Sequence, residues 1–495
     1  MTQDDALLDR VRRGRFLIDG KWIEPGSRAR FDIVTPSDET VFASIPLANA
    51  EDIAAAVAAA RRAFDTGPWP RLSHRERGEF LSRLADAIEA KSALFARIWT
   101  SEVGGLIGYG GHMVAGSCAI IRDFARMATD FPFIEHHTPT AGGNVGLLIH
   151  EPVGVVGAII PWNAPILMLA SKLAPALLAG CTVIVKMSPE APLEAMLLGE
   201  IVEELGLPPG VINIVTADRV ESELLVHDER VDKISFTGSS AVGQRVASIC
   251  GGRMARGTFE LGGKSAAVVL DDSPLDLVIG AVAPQVGMLG MQFCSALSRV
   301  IVPQHRHDAL LDGIAGALSQ VKVGDPFDLA TEMGPMSMKR QLERIQAYIA
   351  SGVSDGLTLA TGGGRPHGFN QGYFLEPTLF GDVPNDAKIA REEIFGPVIC
   401  VIPARDEEEA IAMANDSDFG LNSSIFTADP DRALQVARRM RAGTVGHNAF
   451  RSDFGIAFGG YKRSGIGREG GRLGLLPYLE AKTVILEEEP SSLFA

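Results

Sequence analysis

Three shortages bound what this chain of 495 residues can be. Cysteine is scarce: five residues, Cys118, Cys181, Cys250, Cys294 and Cys400, an odd number with no CxxC pair. That spacing argues against a disulfide framework and a cysteine zinc site, and a reducing, cytoplasmic compartment fits best. Positive charge is in deficit, with 46 Lys and Arg against 61 Asp and Glu and a net charge of −15. Nucleic-acid binding needs a basic footprint and is not expected. Long apolar runs are missing as well. The stretch 153–160 stops at Pro161, far short of the roughly 20 residues that span a bilayer. Residues 1–15 alternate acids and bases and lack the apolar core of a signal peptide. No membrane partner is expected.

What is present is a globular composition, 46% hydrophobic and 22% charged, in a chain too long for one ordinary core. Two or three domains are expected. The first 130 residues read as mainly helical: Ser73 and Glu76 have capping-box spacing, and Phe80, Leu81, Leu84 and Ile88 follow at helical intervals. From Val153 short apolar strands alternate with helices. Strands are predicted over 155–160, 182–185, 211–215 and 234–236, and helices over 165–179, 193–205 and 241–250. Such alternation means βαβ units and a parallel sheet, whose ligands sit beyond the carboxyl ends of the strands. A second α/β series runs from Ala266 to about Leu473. Residues 131–145, rich in Thr, Pro and Gly, read as an excursion from the first domain.

Some short patterns mislead. Gly465-Ile-Gly467-Arg-Glu-Gly470 fits a phosphate loop, but the polar residues before it form no strand. Gly352-Val-Ser354-Asp-Gly356 fits a hydrolase elbow, yet a helical pattern precedes it where a strand is required. Glu135-His136-His137 reads as a solvated ribbon, and no metal is expected.

Cys294, in Gly290-Met-Gln-Phe-Cys294-Ser-Ala, gains meaning from its companions. An isolated cysteine is usually a small buried hydrophobe. Here Glu260 lies 34 residues earlier at a strand end, and Asn163 closes Pro161-Trp-Asn163 at another. A thiol, a carboxylate and an amide at strand ends supply nucleophile, base and oxyanion donor.

With these residues in view the chain resembles the aldehyde dehydrogenase superfamily. Seven motifs occur in that family's order: Pro161-Trp-Asn163, Lys186, Phe236-Thr-Gly-Ser239, Glu260-Leu-Gly-Gly-Lys264, Gln292-x-Cys294-x-Ala296, Glu393-Ile-Phe-Gly-Pro397 and Phe458-Gly-Gly-Tyr-Lys462. The resemblance spans about Phe16 to Thr483. It implies an α/β fold with a Rossmann-like cofactor domain (1–128 and 150–262), an α/β catalytic domain (263–473) and a small split oligomerisation domain (129–149 and 474–495). It implies oxidation of an aldehyde by NAD(P), through a thioester on Cys294 that Glu260-activated water hydrolyses. Asn163 and the Cys294 backbone N–H would hold the oxyanion, and Lys172 and Glu469 would relay protons to Glu260. A plain surface helix position for Lys172 remains the alternative.

The resemblance also places Ile159, Pro161, Trp162, Lys186, Gly238, Ser239, Val242, Leu261, Glu393 and Phe395 on the cofactor. Ala164, Met168, Ser171, Phe293, Ser295, Phe450 and Phe458 fall around the substrate. Small residues at Ala164, Ser171 and Gly446 suggest a tunnel wide enough for bulky or long apolar aldehydes, unless Phe293 refills it. Departures from the family pattern matter. Pro189 stands where many NAD-preferring members have glutamate, with Glu190 one place on. Asp218 suits ribose hydroxyls and Arg219 a 2′-phosphate, so NAD is expected with NADP left open. Leu289 and Met291 replace a common asparagine and glycine before the nucleophile. Two alternatives stay in view: an acylating, coenzyme A-dependent dehydrogenase, whose members often lack the base, and a non-catalytic binding relative. The resemblance further implies a homodimer or homotetramer.

Overall fold

A computed structural model describes residues 3–491 apart from Pro25 and Ser27. The outermost parts of the expected domains, residues 1–2 and 492–495, lie outside the described residues. Two large sheets carry the molecule. The first has eight strands in the order Gly465–Ile466, Arg256–Glu260, Lys233–Thr237, Val155–Ile160, Thr182–Met187, Ile212–Thr216, Phe16–Ile18 and Lys21–Ile23. Its five central strands are parallel. Every residue of Val155–Ile160 and Thr182–Met187 is buried, as expected of parallel strands covered by helices on both faces. Chain order reverses between Val155–Ile160 and Lys233–Thr237, and the crevice above such a switch point is where open α/β sheets take their ligands.

The second sheet orders Thr358–Thr361, Thr378–Gly381, Val398–Ala404, Leu297–Pro303, Ser265–Val269, Asn422–Phe426 and Thr444–His447. All neighbours but the first pair are parallel. The excursion at 131–145 becomes the strands Ile134–His137 and Val145–Pro152, which with Leu479–Leu486 form an antiparallel three-stranded sheet. The expected strands and helices of 155–252 are found, with Ile212–Thr216 displaced one residue from the predicted span. The helix His74–Ala90 carries the predicted capping box between Ser73 and Glu76.

The first 130 residues are less helical than their periodicity suggests. Five helices are there, but four strands occupy much of 16–46. The first two are three residues long, too short for alternation to register, and they meet at Asp19-Gly20 with φ of 56° and 70°. Asp-Gly in left-handed geometry is the preferred two-residue hairpin turn, a signal the helical reading passed over. Leu17 then pairs with Ile214 and extends the first sheet. Gly20→Val should cost about 1–2 kcal/mol, because a side chain disfavours positive φ and its Cβ would lie 3.1 Å from Pro209. A lowered urea midpoint at unchanged m-value is the expected result.

Candidate active site

The nucleophile candidate sits in a strained loop. Leu289, Gly290 and Met291 have φ of 53°, 57° and 55°, a left-handed run that only glycine adopts freely. Gln292 braces it, donating to Leu289 O at 2.8 Å and accepting the Ser337 N–H at 3.1 Å. Cys294 follows. It is the one cysteine of the five that is partly accessible, and Gly263 packs so close that a Cβ there would fall 2.2 Å from the Cys294 carbonyl. Burial pushes the thiol well above its ordinary pKa, and the carboxylates of Glu393 and Glu260 add to the effect. Asn163 arrives from the turn after Val155–Ile160, and its Nδ2 donates to Gln292 O at 3.1 Å. The amide therefore lies against the nucleophile loop.

Glu260 ends the strand Arg256–Glu260. It is 2% exposed, and neither carboxylate oxygen has a hydrogen-bond partner. Burial raises its pKa well above the usual carboxylate range; Glu469 raises it further, while Lys172 and Arg468 oppose. The edge strand Gly465–Ile466 pairs with Phe259 and Glu260, and a Cβ on Gly459 would fall 2.5 Å from Glu260 Oε1. Glu469 is fixed by backbone exchange with Phe458, at 2.7 Å in both directions. Its side chain pairs with Lys172, which is fully buried, and accepts the Ser171 hydroxyl at 2.9 Å. The surface alternative for Lys172 is overturned.

The cofactor candidates gather at the carboxyl ends of the first sheet. Gly238 and Ser239 follow Lys233–Thr237, and Ser239 Oγ accepts from Val242 N at 3.4 Å as N-cap of Ser240–Gly252. Val242 is exposed on that helix's first turn. A Cβ on Gly243 would fall 2.3 Å from Leu261, so the helix sits flush on the sheet with its N-terminus open, a geometry suited to a pyrophosphate. Burial lowers Lys186 to about 8, opposed by Glu190 and Asp218. Glu190 is also bound to Ser188 and forms a 2.5 Å ion pair with Arg340. Glu393 accepts the Gly263 N–H at 2.9 Å, and burial raises it to about 7. The rings of Phe395, itself at φ 63°, and Trp162 meet edge to face at 5.6 Å. Ile159 is buried among Phe236, Phe259 and Leu261, with Pro161 half-buried at the strand's end. Donors and open backbone thus fit a nicotinamide dinucleotide.

On the substrate side Ala164 starts the helix Pro165–Ala179, and Met168 and Ser171 lie buried along it. Ser171 is committed to Glu469, so it serves the buried pair more than an open wall. Gly446 is a correction. It lies in the strand Thr444–His447, where a Cβ would meet Ala449 O at 2.5 Å and Ser424 Oγ at 3.1 Å; the glycine answers sheet packing and widens nothing. Gly116, passed over in the sequence, faces Leu167, with no atom nearer than 3.9 Å to a Cβ built there. Phe293 stacks edge-on with Phe450 at 5.6 Å and Phe454 lies over Phe458 at 4.5 Å. Ser295 is buried beside the nucleophile. Other residues missed in the sequence are Gly262, where a Cβ would fall 2.5 Å from Glu393 Oε2, and Trp99, whose Nε1 donates to Asn163 O at 3.0 Å. The paired glycines of Glu260-Leu-Gly-Gly-Lys264 were a readable signal for close approach; a helix tryptophan reads only as core.

The aldehyde dehydrogenase family model matches residues 22–484. The chain is 41% identical over 470 residues to geranial dehydrogenase of Castellaniella defragrans, covering 95% of this chain and 98% of that one. It superposes on the Mycobacterium tuberculosis aldehyde dehydrogenase complexed with NAD+ at a TM-score of 0.93 and 38% identity, covering 96% and 98% of the two chains. A mutant aldehyde dehydrogenase C of Pseudomonas syringae, complexed with NAD+ and octanal, matches at 0.92 and 36%, covering 97% and 98%. The chain belongs to the aldehyde dehydrogenase family. It is an NAD(P)-dependent oxidoreductase acting on aldehydes.

A buried acid beside the Asn163 turn gives a pH test. Glu194 accepts the Ile166 N–H at 2.8 Å, and burial raises its pKa to about 8 despite that bond. Between the unfolded value near 4.5 and 8 the folded state holds a proton that the unfolded chain has released, so stability falls as pH rises through that window. Glu194→Gln keeps the acceptor and removes the titration. Wild type should lose on the order of a few kcal/mol relative to this variant between pH 5 and 9, read as diverging urea midpoints. Parallel curves would contradict the buried-acid assignment.

Proposed function

We propose that this chain oxidises bulky or long apolar aldehydes to carboxylic acids through a thioester on Cys294. The observation that carries the reading is the gathering of a partly exposed cysteine, the Asn163 amide and the unbonded Glu260 carboxyl: Glu260 ends and Asn163 follows parallel strands of the first sheet, and Cys294 lies in the loop before Leu297–Pro303 of the second. The Cys294 thiol gives its proton to Glu260, which passes it on toward the Lys172–Glu469 pair, and the sulfur attacks the carbonyl carbon while Asn163 Nδ2 and the Cys294 N–H stabilise the oxyanion. A bound NAD+ would supply the hydride acceptor, so that the acyl group remains on the Cys294 sulfur. Glu260 then takes a proton from water, which attacks the thioester. Burial strengthens it as a base, and the Lys172–Glu469 pair passes the proton on. An intact base favours hydrolysis over transfer to coenzyme A, and the complete site argues against a purely binding role.

Lys186 and Glu393 hold the ribose units, and Ser239 with the helix start holds the pyrophosphate. Trp162 and Phe395 close the nicotinamide end. Two acids near Lys186, Glu190 and Asp218, favour NAD over NADP by repelling a 2′-phosphate. The first sheet with its helices forms the cofactor domain, the second the catalytic domain, and the three-stranded sheet the oligomerisation domain. Leu479–Leu486 is an edge strand with Ile485 exposed, near the exposed Leu473 and Leu476 in sequence; this suits a homodimer or homotetramer. No helix among the described residues is long and apolar enough to cross a membrane. The five free cysteines suit a cytoplasmic setting.

Glu260→Gln should trap the acyl-enzyme: one burst of reduced cofactor, then a slow steady state, with Cys294 acylated by mass spectrometry. Wild-type kcat should climb with pH into the alkaline range, because the raised pKa delays formation of the base. A burst-free variant at wild-type rate contradicts the role.

Ala164 is small, and a Cβ at Gly116 would meet nothing nearer than Leu167 at 3.9 Å, which supports a roomy tunnel. The relatives support the size class, since one is a geranial dehydrogenase and another holds octanal. At roughly 0.8 kcal/mol per buried methylene, octanal and citral should exceed acetaldehyde in kcat/KM by tens-fold. Ala164→Phe should reverse this while sparing acetaldehyde. Equal kcat/KM for all three in the wild type rejects the wide tunnel.

A further inference from the structure

Asn163 sits in a turn that does not hold itself. The helix that follows begins at Pro165 with Ala164 as N-cap, and no side chain of that cap bonds to it. The hold comes from elsewhere in the chain. Glu194 accepts the Ile166 N–H, and the Trp99 indole N–H donates to the Asn163 carbonyl at 3.0 Å. Trp99 lies on the helix Ser92–Val103, 64 residues earlier and 2% exposed. Its ring cannot shift toward Gly105, where even a Cβ would fall 2.0 Å from it.

The same ring belongs to a buried cluster with Val103, Ala191 and Leu289, against which Trp162 and Tyr109 pack. Leu289 opens the left-handed run that leads to Cys294, and Trp162 adjoins Asn163. A β-carbon-bearing residue at positive φ persists only when its surroundings over-determine it. Trp99 is therefore tied to both halves of the oxyanion site: by a hydrogen bond on the amide side, and by sharing one buried cluster with the residue that opens the nucleophile loop.

We infer that Trp99 is a positioning residue that sets Asn163 Nδ2 relative to Cys294. The indole N–H anchors the backbone of Asn163, and the indole faces block the collapse of Leu289 toward that turn. The inference rests on the reading of Asn163 as oxyanion donor. It needs no contact between Trp99 and either substrate or cofactor.

Two variants separate anchoring from bulk. Trp99→Phe removes the N–H with part of the ring, and replacement of Trp99 by benzothienylalanine keeps the ring shape and removes only the donor. Both should lower kcat roughly tenfold or more, the scale of sub-ångström misplacement of a catalytic group, with the Kd for NAD+ and the melting temperature near wild type. In an Asn163→Ala background, itself expected to lose about 10²–10³ in rate, neither replacement should cost anything further. Wild-type kcat for the benzothienyl variant overturns the inference, as does a loss that persists undiminished in the Asn163→Ala background. If Asn163→Ala alone keeps wild-type rate, the oxyanion reading fails first, and that result is distinct from the other two.

Discussion

Glu260 ends a parallel strand with both carboxylate oxygens buried and unbonded, a placement that costs several kcal/mol for an ionised group. Much of the cleft is arranged around keeping it so. Gly459 and Gly465 bring backbone to its flank without offering a side chain. Ser464, which could have served as a donor, spends its hydroxyl on Gly262 O. Lys172 lies close enough to oppose the shift but is itself paired with Glu469. Isolation thus gives the proposed base its strength, and the same desolvation raises the Cys294 thiol.

That isolation is built from chain segments far apart in sequence, and it explains which features were legible. The parallel strands were readable because burial on both faces leaves continuous apolar runs such as Val155–Ile160. Glu260 and Asn163 stood out because reactive groups at the carboxyl ends of strands are few; Cys294 lies instead in the loop before Leu297–Pro303, and its flanking motif singled it out. Ser171 illustrates what was not: its size suggested an open tunnel wall, whereas its hydroxyl partner Glu469 lies 298 residues away. Gly446 misled for a related reason, since a missing side chain looks the same whether it opens a channel or admits a neighbouring strand. The first hairpin escaped because three-residue strands carry no period, although Asp19-Gly20 marked the turn.

The loop before Cys294 shows a local rule broken for a global gain. Leu289 and Met291 take a conformation disfavoured by roughly 1–2 kcal/mol each. Both are buried, Leu289 against Trp99 and Met291 in the core of the second sheet. Apolar burial of such side chains is worth about 1.5–3 kcal/mol, enough to offset the backbone cost. Where glycine would bring only freedom, these residues bring anchorage on two sides of the nucleophile.

Glu469 lies 297 residues beyond Lys172, and the edge strand Gly465–Ile466 that seals Glu260 follows it by more than 200 residues. During synthesis the first sheet has all its parallel strands long before its edge is sealed. Until about residue 470 has left the ribosome, Lys172 has no carboxylate to neutralise it and Glu260 faces water. A nascent chain therefore carries the carboxyl of the proposed base without the dry environment that raises its basicity. The order of translation keeps the proposed base out of action until the segment that seals the sheet edge has been made.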